Sequence, residues 1–519
     1  MASPIIGILV SILLSYSLSA SRPAPLQAWA WLPITVGAAI ALIAAWLLRG
    51  QAFEDVIANW SPVSFTGVPL VLASAPVPML VLVAWLTVYL IEGLALPEHD
   101  VFDSHPSASA LLIPALAVVV FANNLITLLV GLGLVDLFSA YLALRRQTGE
   151  RQALSALALN SLSSAGVLIT VAVQYASGDS LSLPLAQLPA VLTPVIAVAL
   201  VLRLRLIPVR AMLMSLSDLS NVASVVAGLI VLTRLPTFGL AQLPPWFFAL
   251  AAVCALLALL VSILRGEGND NRSAAVIGGS LYLAIGSAVV GEPVVTAAAA
   301  SAWLLGCAVV TFVTFTSQAR TNPVLLVTRT IGAACLLGVP ATVGFIGQAG
   351  VIAASVKLPG FGAIALLVRV IALALLGYVL AREVLEPDAT NISSRTGSRM
   401  LLGVVVAALT IIGMGLMLGI GDAVTRNGLL GWLAWLLSLV GAAALWRFRP
   451  LWRRIVALPR ATLASALSFD WLSELAYGAV ARLQAPLPRV FSVLESDGAL
   501  VWAMIIVLLL VLISRPGGP

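Results

Sequence analysis

Long apolar runs follow one another along most of the chain, and charged residues fall mainly in the short segments between them. Each run is close to the ~20 residues that a helix needs to cross the hydrocarbon core of a bilayer. We therefore predict an all-α polytopic membrane protein with about 14 to 16 transmembrane helices. The runs predict helices near residues 3–19, 29–49, 73–95, 107–121, 123–145, 152–176, 186–207, 211–233, 246–264, 274–290, 295–317, 325–354, 361–381, 401–420, 428–446 and 498–514.

The composition agrees with this pattern. Of 519 residues, 61% are hydrophobic and 9% are charged, whereas a soluble domain carries about 25% charged residues. Too few polar side chains are present to cover a soluble fold, which excludes soluble enzymes and nucleic-acid-binding domains and makes the lipid bilayer the expected surrounding. Basic residues concentrate in the loops that an N-out chain places inside. We therefore expect a multi-pass protein of a bacterial or archaeal cell (inner) membrane with its N-terminus outside.

No metal, nucleotide or redox cofactor is expected on this chain. The sequence has neither a phosphate-binding loop nor a dinucleotide fingerprint, which argues against an ATP-driven pump. None of the three cysteines lies in a Cys-x-x-Cys pair, which argues against a thiolate-bound cluster. Residues 98–105 collect acidic and histidine side chains that could bind zinc, but such loops are more often solvated, and we assign no metal there. Any redox cofactor would belong to a partner chain.

Two prolines predict helix breaks at membrane depth. Pro208 follows the charged end of a span, and Pro340 and Gly344 lie within the apolar run 325–354. A proline removes a backbone hydrogen bond. Irregular backbone is tolerated in a membrane only where it is buried in protein or lines a cavity. Because broken helices line the ion and substrate sites of transporters, both breaks are candidate site positions.

Asp136 falls inside a predicted span, where a charge costs at least ~2.5 kcal/mol on insertion scales. It is either a proton-pathway carboxylate or the structural partner of an arginine on an adjacent helix, and both interpretations stay open. Arg203 lies deeper in its span than Arg205, and residues two apart point to different sides of a helix. Arg203 is therefore the better candidate to face Asp136. An arginine can hold a charge beside the carboxylate, but it cannot relay a proton.

Other charged positions are assigned less directly. Arg369 lies in the middle of a span, where we expect an interior or intersubunit charge. Arg329 lies near the start of the broken run, and we favour a side chain that extends to the membrane surface. Asp218 is interpreted as an inner-side helix cap. Residues 447–497 begin with a basic run and become amphipathic, which predicts an inner-surface linker helix or, alternatively, a docking surface for a neighbouring subunit.

Several segments resemble the antiporter-like membrane subunits of respiratory complex I, whose relatives occur in multisubunit sodium/proton antiporters, membrane-bound hydrogenases and inorganic-carbon uptake complexes. The resemblance rests on motifs such as W-E-L-x-S-x-x-L, L-x-x-S-S-x-x-x-L and G-x-P-x-x-x-G-F-x-x-K, which occur here in the family's order. The matching segments are residues 134–142, 159–168, 203–210, 338–348, 469–471 and 494–495.

The resemblance implies two inverted five-helix repeats, each with a broken helix, near residues 123–233 and 274–381. Pro208 and Pro340 fall at comparable places in the two halves, which supports this independently. The implied units are N-terminal transmembrane helices (1–121), a first repeat (122–235), a second repeat (246–385), C-terminal transmembrane helices (386–446), the linker (447–497) and a last transmembrane helix with its tail (498–519).

The family's titratable residues are replaced at most matching positions. Asp136 stands at the glutamate, Arg203 at the first-repeat lysine and Arg210 at the histidine after the proline. Gln348 stands at the terminal lysine or glutamate of the second broken helix. The remaining lysine and histidine positions fall on Val226, Cys307 and Thr311. The candidate ion pathway is therefore Asp136, Arg203, Arg210, Gln348 and Arg369, with water needed to bridge the gaps.

The resemblance implies an antiporter-like subunit of a complex I-type (NADH:quinone oxidoreductase) or related redox-linked complex. Such a subunit would be non-catalytic itself and would contribute to proton or ion translocation. The alternatives are a non-conducting scaffold subunit of such a complex, or a membrane subunit of a sodium/proton antiporter or inorganic-carbon uptake system. The expected partners are other membrane subunits, with hydrophilic redox subunits in the redox-linked case.

Overall fold

The computed structural model describes most of the predicted spans but neither end of the chain. It describes residues 36–37, 54–60, 68–73, 75–95, 110–145, 150–177, 181, 183, 189–206, 219–235, 243–265, 269–314, 323–357, 361–385 and 394–449. The predicted helices 3–19 and 498–514, the helix 29–49 apart from residues 36–37, the loop 98–105 and all of the linker after residue 449 lie outside these residues.

Fourteen α-helices and one β-hairpin make up the described part of the chain. The hairpin strands are β1 (Glu54–Trp60) and β2 (Val68–Ala73). The helices are α1 (Pro76–Ala95), α2 (Leu112–Phe121), α3 (Leu125–Arg145), α4 (Glu150–Ala176), α5 (Thr193–Arg203), α6 (Leu219–Arg234), α7 (Pro245–Arg265), α8 (Asn269–Gly286), α9 (Pro293–Thr314), α10 (Pro323–Leu336), α11 (Val343–Lys357), α12 (Phe361–Leu385), α13 (Ser394–Met417) and α14 (Ile420–Arg447).

The helical prediction is confirmed in each described segment. By length and composition, four of the helices carry a stretch long enough to cross a membrane, and ten carry shorter apolar stretches. The hairpin was not predicted, because the apolar residues of β2 resemble the start of the following span. It is held against α3, where Thr127 Oγ1 accepts the Val71 N–H at 3.0 Å.

Helix α9 lies at the centre of the described bundle. It packs against α1, α6, α8, α10 and α11. Of its apolar stretch Pro293–Thr311, 94% is buried. Its run of alanines and Gly306 allow this close packing, since a Cβ at Gly306 would lie 2.7 Å from Leu336 Cγ. Small residues let helix backbones approach closely in a membrane, where packing rather than hydrophobic burial holds helices together.

The break predicted at Pro340 and Gly344 separates α10 from α11. Two residues of the connection have left-handed backbone, Gly338 at φ +66° and Ala341 at φ +75°. Gly344 begins the second half-helix so close to the first that a Cβ there would lie 1.8 Å from the Cys335 carbonyl oxygen. The glycine therefore allows the two half-helices to overlap at the break.

In the first half of the chain, α5 ends at Arg203 and the backbone turns sharply. Arg205 has a left-handed conformation at φ +54°, an uncommon one for a residue with a side chain. Pro208 and Arg210 lie outside the described residues, so the prediction for that proline is not tested. The helix end before it is a feature of the described chain.

Candidate functional site

Three helices bring a carboxylate, a guanidinium and a hydroxyl together inside the bundle. Asp136 of α3 and Arg203 of α5 form an ion pair through Oδ1 and Nη2. Ser164 of α4 donates to Asp136 Oδ2 at 2.9 Å and accepts from Arg203 Nη1 at 3.2 Å. Asp136 is 5% exposed and Arg203 is 1% exposed. The expected pairing is found, with Ser164 as a third member that the motif at residues 159–168 contributes.

The packing of the three helices fixes this geometry. Asp136 lies on the inward face of α3, whereas Leu137 and Tyr141 are exposed on its other side. Helix α4 contacts α5 closely, because Ser163 Oγ donates to the Ala199 carbonyl at 2.7 Å and Gly166 leaves room for the Ala199 side chain. The guanidinium of Arg203 is thereby held against the carboxylate.

The break after α5 is closed by donors from two later helices. Tyr282 of α8 donates its hydroxyl to the Arg205 carbonyl at 2.9 Å. Cys254 of α7 donates its thiol to the Leu206 carbonyl at 2.7 Å. These carbonyls lie beyond the end of a helix, where backbone acceptors lack intrahelical partners. Residues of the predicted second half therefore stabilise the break of the first.

In the second half, Arg369 of α12 meets Gln348 of α11. Arg369 Nε and Nη2 both donate to Gln348 Oε1, at 3.0 and 2.6 Å. Each residue is 8% exposed. The sequence selected both residues for separate reasons and did not predict that they touch. The pair lies beside the second helix break, since Gln348 is in the first turns of α11.

Neutral polar groups lie on α8 and α9. Ser280 Oγ lies 3.2 Å from Cys307 Sγ, and Thr311 Oγ1 donates to the Cys307 carbonyl at 2.7 Å. A small cavity of about 20 Å³ is lined by Ser280 and Gln348 among others. This volume exceeds the ~10–15 Å³ that one water requires. Val226, at another family lysine position, is fully buried.

A second buried ion pair was missed by sequence reasoning. Arg329 Nη2 of α10 lies 3.6 Å from Glu383 Oε2 of α12, and both side chains are 1% exposed. The predicted surface position of Arg329 is therefore wrong. Position near a run's end suggested a boundary residue, whereas the packing of α10 against α12 places this part of the helix inside the protein. The one sequence feature that pointed to this pair was Glu383, an acidic residue near the end of an apolar run.

The whole fold is similar to solved chains of three membrane complexes. A chain of the Mrp complex from Dietzia sp. DQ12-45-1b matches at a TM-score of 0.70 and 16% identity, over 96% of this chain and 63% of that one. The present chain thus spans less than two thirds of that chain's length. A chain of the membrane-bound sulfane sulfur reductase, an archaeal respiratory membrane complex, matches at 0.66 and 15%, over 98% and 99%. A chain of respiratory complex I from Thermus thermophilus matches at 0.57 and 18%, over 80% and 97%.

The chain has the fold of these three membrane-complex chains. The fold implied by the sequence motifs is thereby confirmed, and with it a membrane-embedded, multi-pass protein. No protein-family profile and no curated protein matches the sequence. Because a fold hosts more than one function, the chemistry of this chain has to be argued from its own residues.

Proposed function

We propose that this chain is an antiporter-like membrane subunit of a complex I-type or related redox-linked complex, and that it contributes to ion translocation through Asp136 and Arg203. The observation that carries the proposal is the buried ion pair at the end of α5, next to the left-handed backbone of Arg205. Ionisable residues inside a membrane are costly and commonly mark ion pathways. A helix break next to such a pair gives it a place where the backbone can move.

The two members of the pair have different roles. Arg203 stays charged and cannot relay a proton, so Asp136 is the member that exchanges one. With Arg203 in contact, the carboxylate remains charged and Ser164 donates to it. When the end of α5 moves and withdraws the guanidinium, the carboxylate is left in a low-dielectric surrounding and takes up a proton. Return of Arg203 releases that proton.

Asp136→Asn tests this proposal in the native complex. Asparagine keeps the size and a hydrogen-bonding group but cannot exchange a proton. We expect intact assembly and an ion-translocation rate at least tenfold lower, measured on purified complex reconstituted in vesicles. Glu292→Gln is the matched control, because it removes the charge of an exposed carboxylate elsewhere on the chain. Normal translocation by a fully assembled Asp136→Asn complex contradicts the proposal.

A non-conducting scaffold is the second candidate, and a specific observation favours it. Neutral residues, Val226, Thr311 and Gln348, stand at positions where the family has titratable residues. The candidate ion pathway therefore lacks proton-exchanging groups at these positions. A scaffold requires that Asp136→Asn leaves translocation unchanged while deletion of residues 447–497 dissociates the complex. Purification in mild detergent, followed by mass spectrometry, identifies the partners. Hydrophilic redox subunits in the preparation support a redox-linked complex, and their absence favours an antiporter or inorganic-carbon uptake system.

A further inference from the structure

Arg369 is a buried cation on the inward face of a membrane helix. It is 8% exposed, whereas Ile364 and Leu367 on the other face of α12 are 60% and 58% exposed. Its neighbours one turn later, Ala372 and Leu373, are buried apolar residues. The guanidinium therefore does not reach the lipid surface or the ends of the helix. It lies within the protein near the middle of α12.

No carboxylate of the described residues compensates this charge. The two buried ion pairs in that part of the chain join Arg203 to Asp136 and Arg329 to Glu383. Arg369 instead donates two hydrogen bonds to the neutral oxygen of Gln348. An amide satisfies the donors but does not cancel the charge, and an isolated charge in a low-dielectric interior is strongly unfavourable. Since arginine keeps its proton, a counter-charge has to come from beyond the described residues.

Gln348 carries amide donors that Arg369 does not occupy. Two guanidinium N–H groups converge on one side-chain atom, which identifies that atom as the oxygen. The amide NH2 of Gln348 is therefore free of the arginine and carries two N–H donors. Gln348 also lines the small cavity of about 20 Å³ together with Ser280, Leu283 and Ala284. The donors and the space for one small ion are thus adjacent.

The surroundings of Arg369 also favour an ion over a protein partner. Gly286 lies beside Arg369 Nη1, since a Cβ at this glycine would be in van der Waals contact with it at 3.6 Å. The cavity walls come from α8, α9, α10 and α11, and the cavity volume is about 20 Å³. A carboxylate side chain of a neighbouring subunit is larger than this space, whereas a small ion fits it.

We infer that the cavity beside Gln348 and Arg369 is a binding site for a small monovalent anion, of the size and charge of chloride. The Gln348 NH2 group donates to the anion, and the Arg369 charge, one amide group away, compensates it. The site is separate from the Asp136–Arg203 pair and does not depend on the function proposed for that pair. Its test measures binding and not transport.

The test is a chloride titration of the purified native complex against gluconate at constant ionic strength, read as the thermal unfolding midpoint. A ligand that binds the folded state raises Tm in a saturable manner. We expect such a rise for the wild type and none for Arg369→Met. Arg369→Lys keeps the charge and should respond at a chloride concentration at least tenfold higher. Arg234→Met is the control, because Arg234 is also buried but donates to the Val119 carbonyl at 3.1 Å, and its response should stay that of the wild type.

A cavity-filling variant keeps the test decisive if Arg369→Met fails to assemble. Ala284→Leu retains Arg369 and occupies the cavity, so we expect at least a tenfold weaker chloride response. The inference is overturned if the wild type shows no saturable chloride dependence, as it would with a partner subunit's carboxylate at Arg369. It is equally overturned if Arg369→Met or Ala284→Leu responds like the wild type.

Discussion

The two halves of the molecule place a charge beside an interruption of helical backbone, the end of α5 in one and the break between α10 and α11 in the other, but surround it differently. In the first half, Arg203 at the end of α5 meets the carboxylate of Asp136. In the second, Arg369 of α12 meets the neutral amide of Gln348 in α11. The first pair has no net charge, whereas the second retains a positive charge. The difference indicates that this fold needs hydrogen bonding at its breaks and does not need the same electrostatics at both.

The backbone of the two breaks leads to the same conclusion. Tyr282 donates to the Arg205 carbonyl at the first break. Trp435 of α14 donates to the Leu337 carbonyl at the second, at 3.2 Å. Aromatic donors from other helices thus satisfy both chain interruptions. The backbone carbonyls are hydrogen-bonded in the same way in the two halves, whereas the charged side chains have different partners.

The largest effect should come from Arg203→Met, which removes the cation of the first pair together with its hydrogen-bond donors, whereas Asp136→Asn keeps a hydrogen-bonding group in contact with Arg203. Arg203→Met leaves the Asp136 carboxylate buried with its cation gone, and breaking a buried pair costs about 3–5 kcal/mol. We expect loss of assembled complex and a lower thermal midpoint. The double variant Asp136→Leu with Arg203→Met should recover most of the stability, because apolar residues of similar volume often replace a buried pair without loss. A double variant as unstable as the single one contradicts this.

A smaller effect should follow from making the second half resemble the first. Gln348→Glu gives Arg369 a carboxylate partner, and hydrogen bonds to charged groups stabilise by roughly 1 kcal/mol more than neutral ones. We expect a higher thermal midpoint and loss of its chloride dependence, since the counter-charge is now internal. Both are measured in the same titration.

The control for this change is Gln348→Met, which has a similar length and no acceptor. It leaves two Arg369 donors without their partner and should lower the thermal midpoint. If Gln348→Glu also lowers the midpoint, a carboxylate is not tolerated at this position. The difference between the halves would then reflect packing around Gln348 and not a missing counter-charge.

Much of this architecture could be predicted from the sequence. The length of the apolar runs identifies the spans, because a bilayer imposes one length scale on every helix. Pro340 and Gly344 mark the second break, since both residues interrupt a helix for stereochemical reasons. The pairing of Asp136 with Arg203 could also be predicted, because two opposite charges buried in spans of the same bundle stabilise each other.

The remaining contacts depend on which helices are neighbours. Arg329 and Glu383 lie 54 positions apart in the numbering, and nothing in either local pattern reveals that α10 packs against α12. The contact of Arg369 with Gln348 could not be predicted for the same reason, because the local sequence does not reveal that α11 packs against α12. A glutamine also carries no charge to balance, so no search for counter-ions would select it. Burial of a charge can be inferred from the sequence of one span. Its partner can be identified only from the packing of several helices.

The smallest effect should come from Tyr282→Phe. This variant tests whether the backbone after α5 is stabilised by a residue of the second half. The substitution removes the hydroxyl that donates to the Arg205 carbonyl and keeps the ring. A buried carbonyl that loses its partner costs about 1–3 kcal/mol unless water replaces the donor. Because water can enter a break, we expect the lower end of this range as a decrease in the unfolding free energy. Hydrogen exchange should become faster at residues 204–206, while the amides around Gln348 stay unchanged. Unchanged exchange at 204–206 would mean that the left-handed turn at Arg205 is held by α5 and its own neighbours, and that the two halves do not stabilise one another there.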